Sequence, residues 1–351
     1  MTERKYKVPI RNLFCILCYA YEMPEFVSAF NGKDEDLPNL NLLANLFIKE
    51  TDRIMMKGLV SDYHNHAEET NQLSGKIIFE QSLNYIIQKK PALVCERDQF
   101  DEDILINQIL KVTLNTLLSI EDLSKEQKRR IYMQVNKLQN VSTVKLYRKT
   151  FSLIRLNRSQ IYYQKMIFLA HFIFELKNLF HTEGPFNLID VLSDDRKMQV
   201  IFEKFILNFY RIEQRKFLSK VERMKWKMFG GNLAIIPEMK TDISLIDPVN
   251  KEKIIIDAKY YADIFSKSFN ADKIRSTHLY QLFTYLNHSS DVYLTRGILI
   301  YPTNGVKVDE TYSISIQVGT EIQQSTIRIF TLDLNQKWKD IYDQMLGFMK
   351  S

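Results

Sequence analysis

The 351 residues are 45% apolar and 26% charged, a balance that suits a globular protein with room for two ordinary domains and excludes an intrinsically disordered chain. The 48 basic and 42 acidic residues leave a formal charge of +6, which permits a polyanionic partner without requiring one. Three cysteines are too few for a disulfide framework, and their odd number points to a reducing, cytoplasmic setting.

The opening MTERKYKVPIRNLFCILCYAY places basic residues before an apolar run, but no small-residue cleavage site follows and Glu22 and Glu25 come soon after, so no signal peptide is expected. Cys15-x-x-Cys18 has no second pair to complete a four-ligand zinc site and reads as two buried thiols of a core helix. Helical spacing covers RNLFCILCYAYEM and LPNLNLLANLFIKETDRIMMKGL, interrupted by Pro24 and the polar residues 31–36. His64-x-His66 lies in the polar run SDYHNHAEETNQ, which reads as a surface loop rather than a metal pair. Next come GKIIFEQSLNYIIQ and DILINQILKVTLNTLLSI, separated by CERDQFDED, which reads as a turn. The basic cluster KEQKRR at 125–130 reads as a solvated face, with phosphate contact as the alternative.

A strongly apolar helix is predicted over about 160–180, and its core MIFLAHFIF has about half the length of a membrane span. HTEGPFNLIDVLSDD then reads as a loop. The expected domain boundary is near 158, separating a mainly helical N-terminal domain with some strand (1–158) from an α/β domain (159–351). In the latter, the helix MQVIFEKFILNFYRIEQRKF precedes the strand LAIIPEMKTDISLID, the turn PVNKE and the strand KIIIDAKYY. A loop of about a dozen residues leads to the helix RSTHLYQLFTYLNH, the strands RGILIYP, YSISIQV and TIRIFTLDL, and a last helix KWKDIYDQMLGFM.

The chemistry gathers at Asp257-Ala258-Lys259. Asp195-Arg196-Lys197 has the same spacing but lies in a polar loop, whereas Asp257 and Lys259 end an isoleucine strand. A turn centred between Val249 and Asn250 sets Asp242 opposite Asp257, with Ser244 opposite Ile255 and Ile243 opposite Ile256. Asp257 and Lys259 then share one face, and Ile254, Ile256, Ala258, Ile243 and Leu245 line the other as core. Facing carboxylates repel, and a divalent cation held by oxygen ligands would neutralise them. Such a cation would support phosphodiester hydrolysis by activating a water, with Lys259 positioning that water or offsetting transition-state charge. The plainer alternative is a salt bridge between Asp242 and Lys259 with Asp257 as a bystander. Gln281 and Tyr285, at i and i+4 of the following helix, and Glu203, from the preceding one, can converge on the same place.

Asp242, Asp257-Ala258-Lys259 and Gln281-x-x-x-Tyr285 resemble the PD-(D/E)xK nuclease superfamily, in its Q-x-x-x-Y branch. Over nearly the whole chain, VPIRNLFCILCYAY, LSGKIIFEQSL, MQVIFEKFILNFY, MKTDISL, IIIDAKYY and LYQLFTYL resemble, in order, the McrC family of nuclease subunits from modification-dependent restriction systems. The resemblance implies a restriction-endonuclease-like α/β core with Asp242, Asp257, Lys259 and Gln281 as catalytic residues. It implies Mg2+, with Mn2+ as the alternative, held by Asp242, Asp257, the Ala258 carbonyl and Glu203. It also implies an McrB-like AAA+ GTPase hexamer as partner, docked and stimulated by residues 1–158, and methylated double-stranded DNA as substrate, with no membrane involved. The proline usual before the first acidic residue is replaced by Thr241, and Pro237 lies five residues upstream. No Walker A loop is present, Ser74-Gly75-Lys76 lacking the first glycine at Thr70, so the chain is expected to bind no nucleotide itself.

Lys273, Arg275 and Tyr285 are the candidate DNA phosphate contacts, and Arg223, Lys225 and Lys227 form a further basic series. His278, one turn before Gln281, reads as a hydrogen-bonded helix residue rather than a catalytic one. Two other functions remain open: a nuclease of the same superfamily with a different DNA trigger, and a non-catalytic activator of an NTPase ring.

Overall fold

A computed structural model of the chain describes residues 8–28, 40–121, 123–181, 195–260, 265–268, 271–289, 293–303, 306–318 and 321–349. They form two compact units: residues 39–185, and residues 1–38 together with 186–351. The second unit is therefore split in sequence by the first. The expected boundary near 158 falls inside the inserted unit, and the N-terminal helix belongs with the C-terminal half.

The split unit begins with α1 (Ile10–Ala20) and α2 (Glu25–Ser28). The inserted unit comprises α3 (Leu40–Lys57), β1 (Asp62–Thr70), β2 (Lys76–Ile77), α4 (Phe79–Ile87), β3 (Leu93–Asp101), α5 (Leu105–Leu118), α6 (Lys125–Asn136), α7 (Arg148–Leu153) and α8 (Gln164–His181). Leu43, Phe47, Ile109, Leu110, Ile131 and Leu169 are fully buried in its helical core. The Tyr163 hydroxyl donates to Asn107 Oδ1 at 2.7 Å, and Asn107 Nδ2 donates to the Val60 carbonyl at 2.8 Å, satisfying polar groups in that interior. A capping box between Ser124 and Gln127 starts α6, so KEQKRR forms its first turns, and Arg130 pairs with Asp52 at 2.5 Å.

Two polar runs read as loop and turn are strands instead. β1 contains His64 and His66, β3 contains most of CERDQFDED, and they pair antiparallel from Asp62↔Asp101 to Thr70↔Leu93 in a sheet ordered β1-β3-β2. The ladder is supported across strands by the Tyr63–Phe100 ring pair at 4.8 Å and by an Arg97–Glu68 ion pair.

The split unit continues with α9 (Asp195–Glu213), β4 (Leu218–Lys220), β5 (Arg223–Met224), β6 (Met239–Lys240), β7 (Ile243–Asp247), β8 (Glu252–Ala258), β9 (Phe265–Ser268), β10 (Ala271–Ile274), α10 (Ser276–His288), β11 (Leu294–Pro302), β12 (Asp309–Val318), β13 (Glu321–Leu332) and α11 (Trp338–Gly347). Its main sheet is ordered β12-β13-β11-β8-β7-β4 and is mixed: β8, β11 and β13 are parallel, while β4–β7, β7–β8 and β12–β13 are antiparallel. The expected loop at 181–195 lies almost wholly outside the described residues. Within the loop predicted before α10, β9 and β10 pair as a small antiparallel ribbon.

α1 is an apolar helix whose exposed face would be costly, and it is buried against α9. Tyr19 stacks on Trp338 and meets the ring edges of Phe205 and Phe209, and its hydroxyl donates to Glu213 Oε1 at 2.5 Å. Asn12 donates to the Leu334 and Gln336 carbonyls at 2.8 Å each. Cys15 and Cys18 are buried here, and burial pushes the Cys15 thiol up to about 12. No helix among the described residues is long and apolar enough to cross a membrane.

Candidate active site

The β7–β8 hairpin has the expected register, with Ile243↔Ile256, Ser244↔Ile255 and Leu245↔Ile254. The charged face is not open, however. Ile255, on the same side as Asp257, is fully buried with Leu282, Tyr285, Leu299 and Tyr301, because α10 packs over β8 and β11. Both faces of a strand at the centre of a mixed sheet are covered, so its buried charges lie near its two ends: Lys253, paired with Glu222 at 3.0 Å, and Asp257 near the carboxyl end.

The run 233–247 is not one strand. A turn of 3-10 helix (Leu233–Ile235) and β6 precede a break at Thr241 and Asp242, after which β7 begins. Thr241 donates its backbone N–H to the Glu222 carbonyl at 2.9 Å, and its hydroxyl accepts from the Glu222 N–H at 3.0 Å. A proline at 241 would remove that N–H, so the pairing with Glu222 disfavours proline at this position. Just past the break, Asp242 Oδ2 accepts the Ala258 N–H at 3.1 Å, in the place of a ladder partner.

Asp242, Asp257 and Lys259 converge. Lys259 Nζ lies 2.9 Å from Asp257 Oδ1 and 3.7 Å from Asp242 Oδ2. Asp257 is fully buried, and its Oδ2 has no hydrogen-bond partner among the described residues. Burial and then the Asp242 charge raise the Asp257 carboxyl well above the usual range. Burial also raises Asp242, against the pull of Lys259 and the Ala258 N–H. Burial opposes the charge on Lys259, but Asp257 and Asp242 hold its ammonium above its ordinary value. The bystander reading of Asp257 does not describe this geometry, since Asp257 has the shorter contact to the lysine.

Glu203 reaches the site electrostatically: burial and the Asp242 charge raise its carboxyl. Among the described residues, no three His, Cys, Asp or Glu side chains gather as a metal cage. A hard cation needs fewer: magnesium accepts one or two carboxylates completed by water and substrate oxygens. The unpartnered Asp257 Oδ2, the adjacent Asp242 and the Ala258 carbonyl fit that donor set.

Gln199, one turn before Glu203 on α9, was not singled out from the sequence. Its Nε2 donates to the Ala258 carbonyl at 2.6 Å and to Glu203 Oε1 at 2.5 Å, while its Oε1 accepts the Tyr260 N–H at 2.6 Å. It thus completes the edge of β8 beyond the end of β7, straddling Lys259. The only sequence signal was its i, i+4 spacing to Glu203.

Gln281 and Tyr285 support the site from α10. Gln281 Nε2 donates to the Tyr285 hydroxyl at 2.9 Å, which donates to the Lys240 carbonyl at 2.6 Å. Tyr285 is buried and fixes the backbone two residues before Asp242, rather than standing in solvent for a phosphate. Lys273 and Arg275 are exposed at the entry to α10. His278 is buried with Nδ1 2.9 Å from the Tyr301 hydroxyl, and burial with nearby Lys259 and Arg275 lowers its pKa to about 4. It is neutral at physiological pH.

Residues 5–302 match a family model described as McrBC 5-methylcytosine restriction system component. A relative from Escherichia coli (strain K12), the type IV methyl-directed restriction enzyme EcoKMcrBC, is 28% identical over 354 aligned positions, spanning 97% of this chain and 96% of its own length. Among solved structures, a half-complex of Thermococcus gammatolerans McrB AAA+ hexamers with bound McrC covers 97% of this chain and 76% of that one, at TM-score 0.44 and 16% identity. The cryo-EM structure of the Thermococcus gammatolerans McrBC complex covers 53% and 62%, at TM-score 0.34 and 15% identity.

Proposed function

Because the chain belongs to the family of McrBC 5-methylcytosine restriction system components, we propose that it is the nuclease subunit of such a system. It would hydrolyse phosphodiesters of methylated double-stranded DNA together with an McrB-like AAA+ GTPase ring. The observation that carries this reading is the Asp242–Asp257–Lys259 cluster at the end of β8, in which Asp257 and Lys259 are buried and one oxygen of Asp257 is left unpartnered. Lys259 neutralises one side of Asp257, and a divalent cation would satisfy the oxygen that is left.

We read α9, the β7–β8 hairpin, α10 and parallel β11 of the split unit as a PD-(D/E)xK core, a reading that their order along the chain supports. Mg2+ or Mn2+ would be held by Asp242, Asp257 and the Ala258 carbonyl, with Glu203 tuning the local charge. Such a cation, when bound, supplies Lewis-acid stabilisation of the phosphate and lowers the pKa of a water. Lys259 stays protonated at neutral pH, so it serves as a donor and offsets charge developing on the phosphate instead of abstracting a proton. Gln281 acts through Tyr285 to hold the chain before Asp242, and Lys273 and Arg275 would contact DNA phosphates. The inserted unit, which makes up most of the expected docking domain, would engage the ring and stimulate its GTPase. The chain itself would bind no nucleotide. Its three cysteines are buried free thiols, in keeping with a cytoplasmic site of action.

The test is cleavage of methylated and unmethylated plasmid by the chain with its GTPase partner, GTP and Mg2+. Cutting confined to methylated plasmid, reduced about 10³-fold or more by Asp257→Ala with GTPase stimulation intact, is the expected result. Stimulated GTP hydrolysis without cutting of either plasmid would instead make the chain an activator, or a nuclease with another trigger.

A further inference from the structure

Phe229 is the most exposed large apolar side chain among the described residues, at 97%. It sits at the tip of an arm formed by residues 225–238, where Gly230 and Gly231 both have positive φ, +80° and +65°, and open space around their Cα atoms. The root of this arm is rigid. Met224 and Met239 are buried in the core under α10, β5 pairs with β6, and the Trp226 indole donates to the Pro237 carbonyl at 2.6 Å. The tip therefore projects from a fixed base. Exposed single apolar residues are common, but this one closely follows the exposed Lys225 and Lys227, and no acidic residue occurs between Glu222 and Glu238.

We infer that this arm is a DNA-binding probe, with Phe229 inserting as a wedge between base steps in the minor groove of a duplex and Lys225 and Lys227 meeting the flanking phosphates. The inference rests on the nuclease reading for its choice of DNA. Aromatic and apolar wedges with cations nearby are a recurrent way of holding and bending DNA without reading sequence. The arm is also continuous with the catalytic cluster. β6 ends two residues before Asp242, and the Tyr285 hydroxyl clamps Lys240 between them. At ~3.4 Å per residue the tip lies within about 44 Å of Asp242, a reach of roughly 13 base pairs at most.

The experiment uses the full chain in complex with its GTPase partner, made non-cutting by Asp257→Ala, and a fluorescein-labelled 40-base-pair methylated duplex carrying 2-aminopurine. Phe229→Ala is expected to weaken binding about tenfold and abolish the 2-aminopurine signal, leaving the slope of affinity against salt unchanged, because no phosphate contact is lost. Phe229→Trp should restore both. Lys225→Gln with Lys227→Gln should instead flatten the salt slope by roughly 1.8. Removing an exposed ring leaves the core intact, and an unchanged melting temperature verifies this. Binding within twofold of the unsubstituted complex in Phe229→Ala, no measurable duplex binding at all, or a Phe229→Ala defect confined to association with the ring would each overturn the proposal. Phe229-dependent binding by a complex that, with Asp257 restored, cuts nothing would uphold the arm and sink the nuclease reading.

Discussion

Gln199 satisfies three partners at the end of β8, and two of them, the Ala258 carbonyl and Glu203, were expected cation ligands. Gln199→Ala should lower cleavage about 10- to 100-fold and raise the Mg2+ concentration at half-maximal rate, as loss of a ligand-orienting neighbour does. An unchanged Mg2+ dependence would remove the residue from that role. Asp257 offers a second test, independent of activity. Its carboxyl is raised by burial and by Asp242, so the folded chain binds more protons there than the unfolded chain, and stability is lost as pH rises from the ordinary carboxylate range towards neutrality. Asp257→Asn should therefore raise the melting temperature of the metal-free protein at pH 8, with the gain fading by about pH 5. Mg2+ should stabilise the unsubstituted chain at pH 8 and not the variant; equal shifts in both would contradict a cation at Asp257. The hairpin register that aims Asp257 at this end of the sheet was legible in the sequence, whereas Asp242, expected opposite Asp257, sits at the break before β7 and meets the Ala258 N–H instead. Gln199 was not legible, since its partners are backbone groups 59 and 61 residues away that leave no pattern. Tyr285 was read as a candidate phosphate contact, and only the packed structure shows its hydroxyl meeting the Lys240 carbonyl.

At the level of elements, α10 lies so close to the sheet that a Cβ on Gly297 would come within 3.1 Å of the Leu282 side chain. Gly297→Val should cost about 1–3 kcal/mol and tilt the helix that carries Gln281 and Tyr285. Denaturant melts and cleavage rates measured together check this; a stable variant with full activity would mean that Leu282 can repack freely. The hairpin β7–β8 was readable because its turn and its isoleucines agree. The break before β7 was not, because Thr241 and Asp242 are held off the ladder by Glu222 and Ala258, contacts invisible to periodicity. β1 and β3 were missed for the opposite reason. Their residues are polar on both faces, so no apolar alternation marks them, and the pairing rests on cross-strand contacts such as Tyr63–Phe100 and Arg97–Glu68.

For the whole molecule, the decisive feature is that α1 completes the unit that holds Asp242, Asp257 and Lys259, although the inserted unit separates it from α9 in sequence. Composition could set the number of domains but not this pairing, because an apolar helix does not declare its partner. A fragment of residues 159–351 would leave Phe205, Phe209 and Trp338 uncovered, each worth about 1.5–3 kcal/mol of burial against a net stability of only about 5–15. It is expected to melt without cooperativity in circular dichroism, and a peptide of residues 1–28 should restore the transition. A sharp melt of the fragment alone would show that α1 is dispensable. Cys15 and Cys18 report the same contact: they should resist thiol reagents in the native chain and react only when α1 detaches. The split also has a consequence for biosynthesis. α1 leaves the ribosome on the order of 190 residues before the end of α9, which at ~5–20 residues per second is a wait of roughly 10–40 s. For that interval an apolar helix has no native surface to cover it, while the inserted unit can already fold. While α1 is uncovered the nascent chain is expected to need a chaperone, and synonymous codons across 21–213 would set for how long.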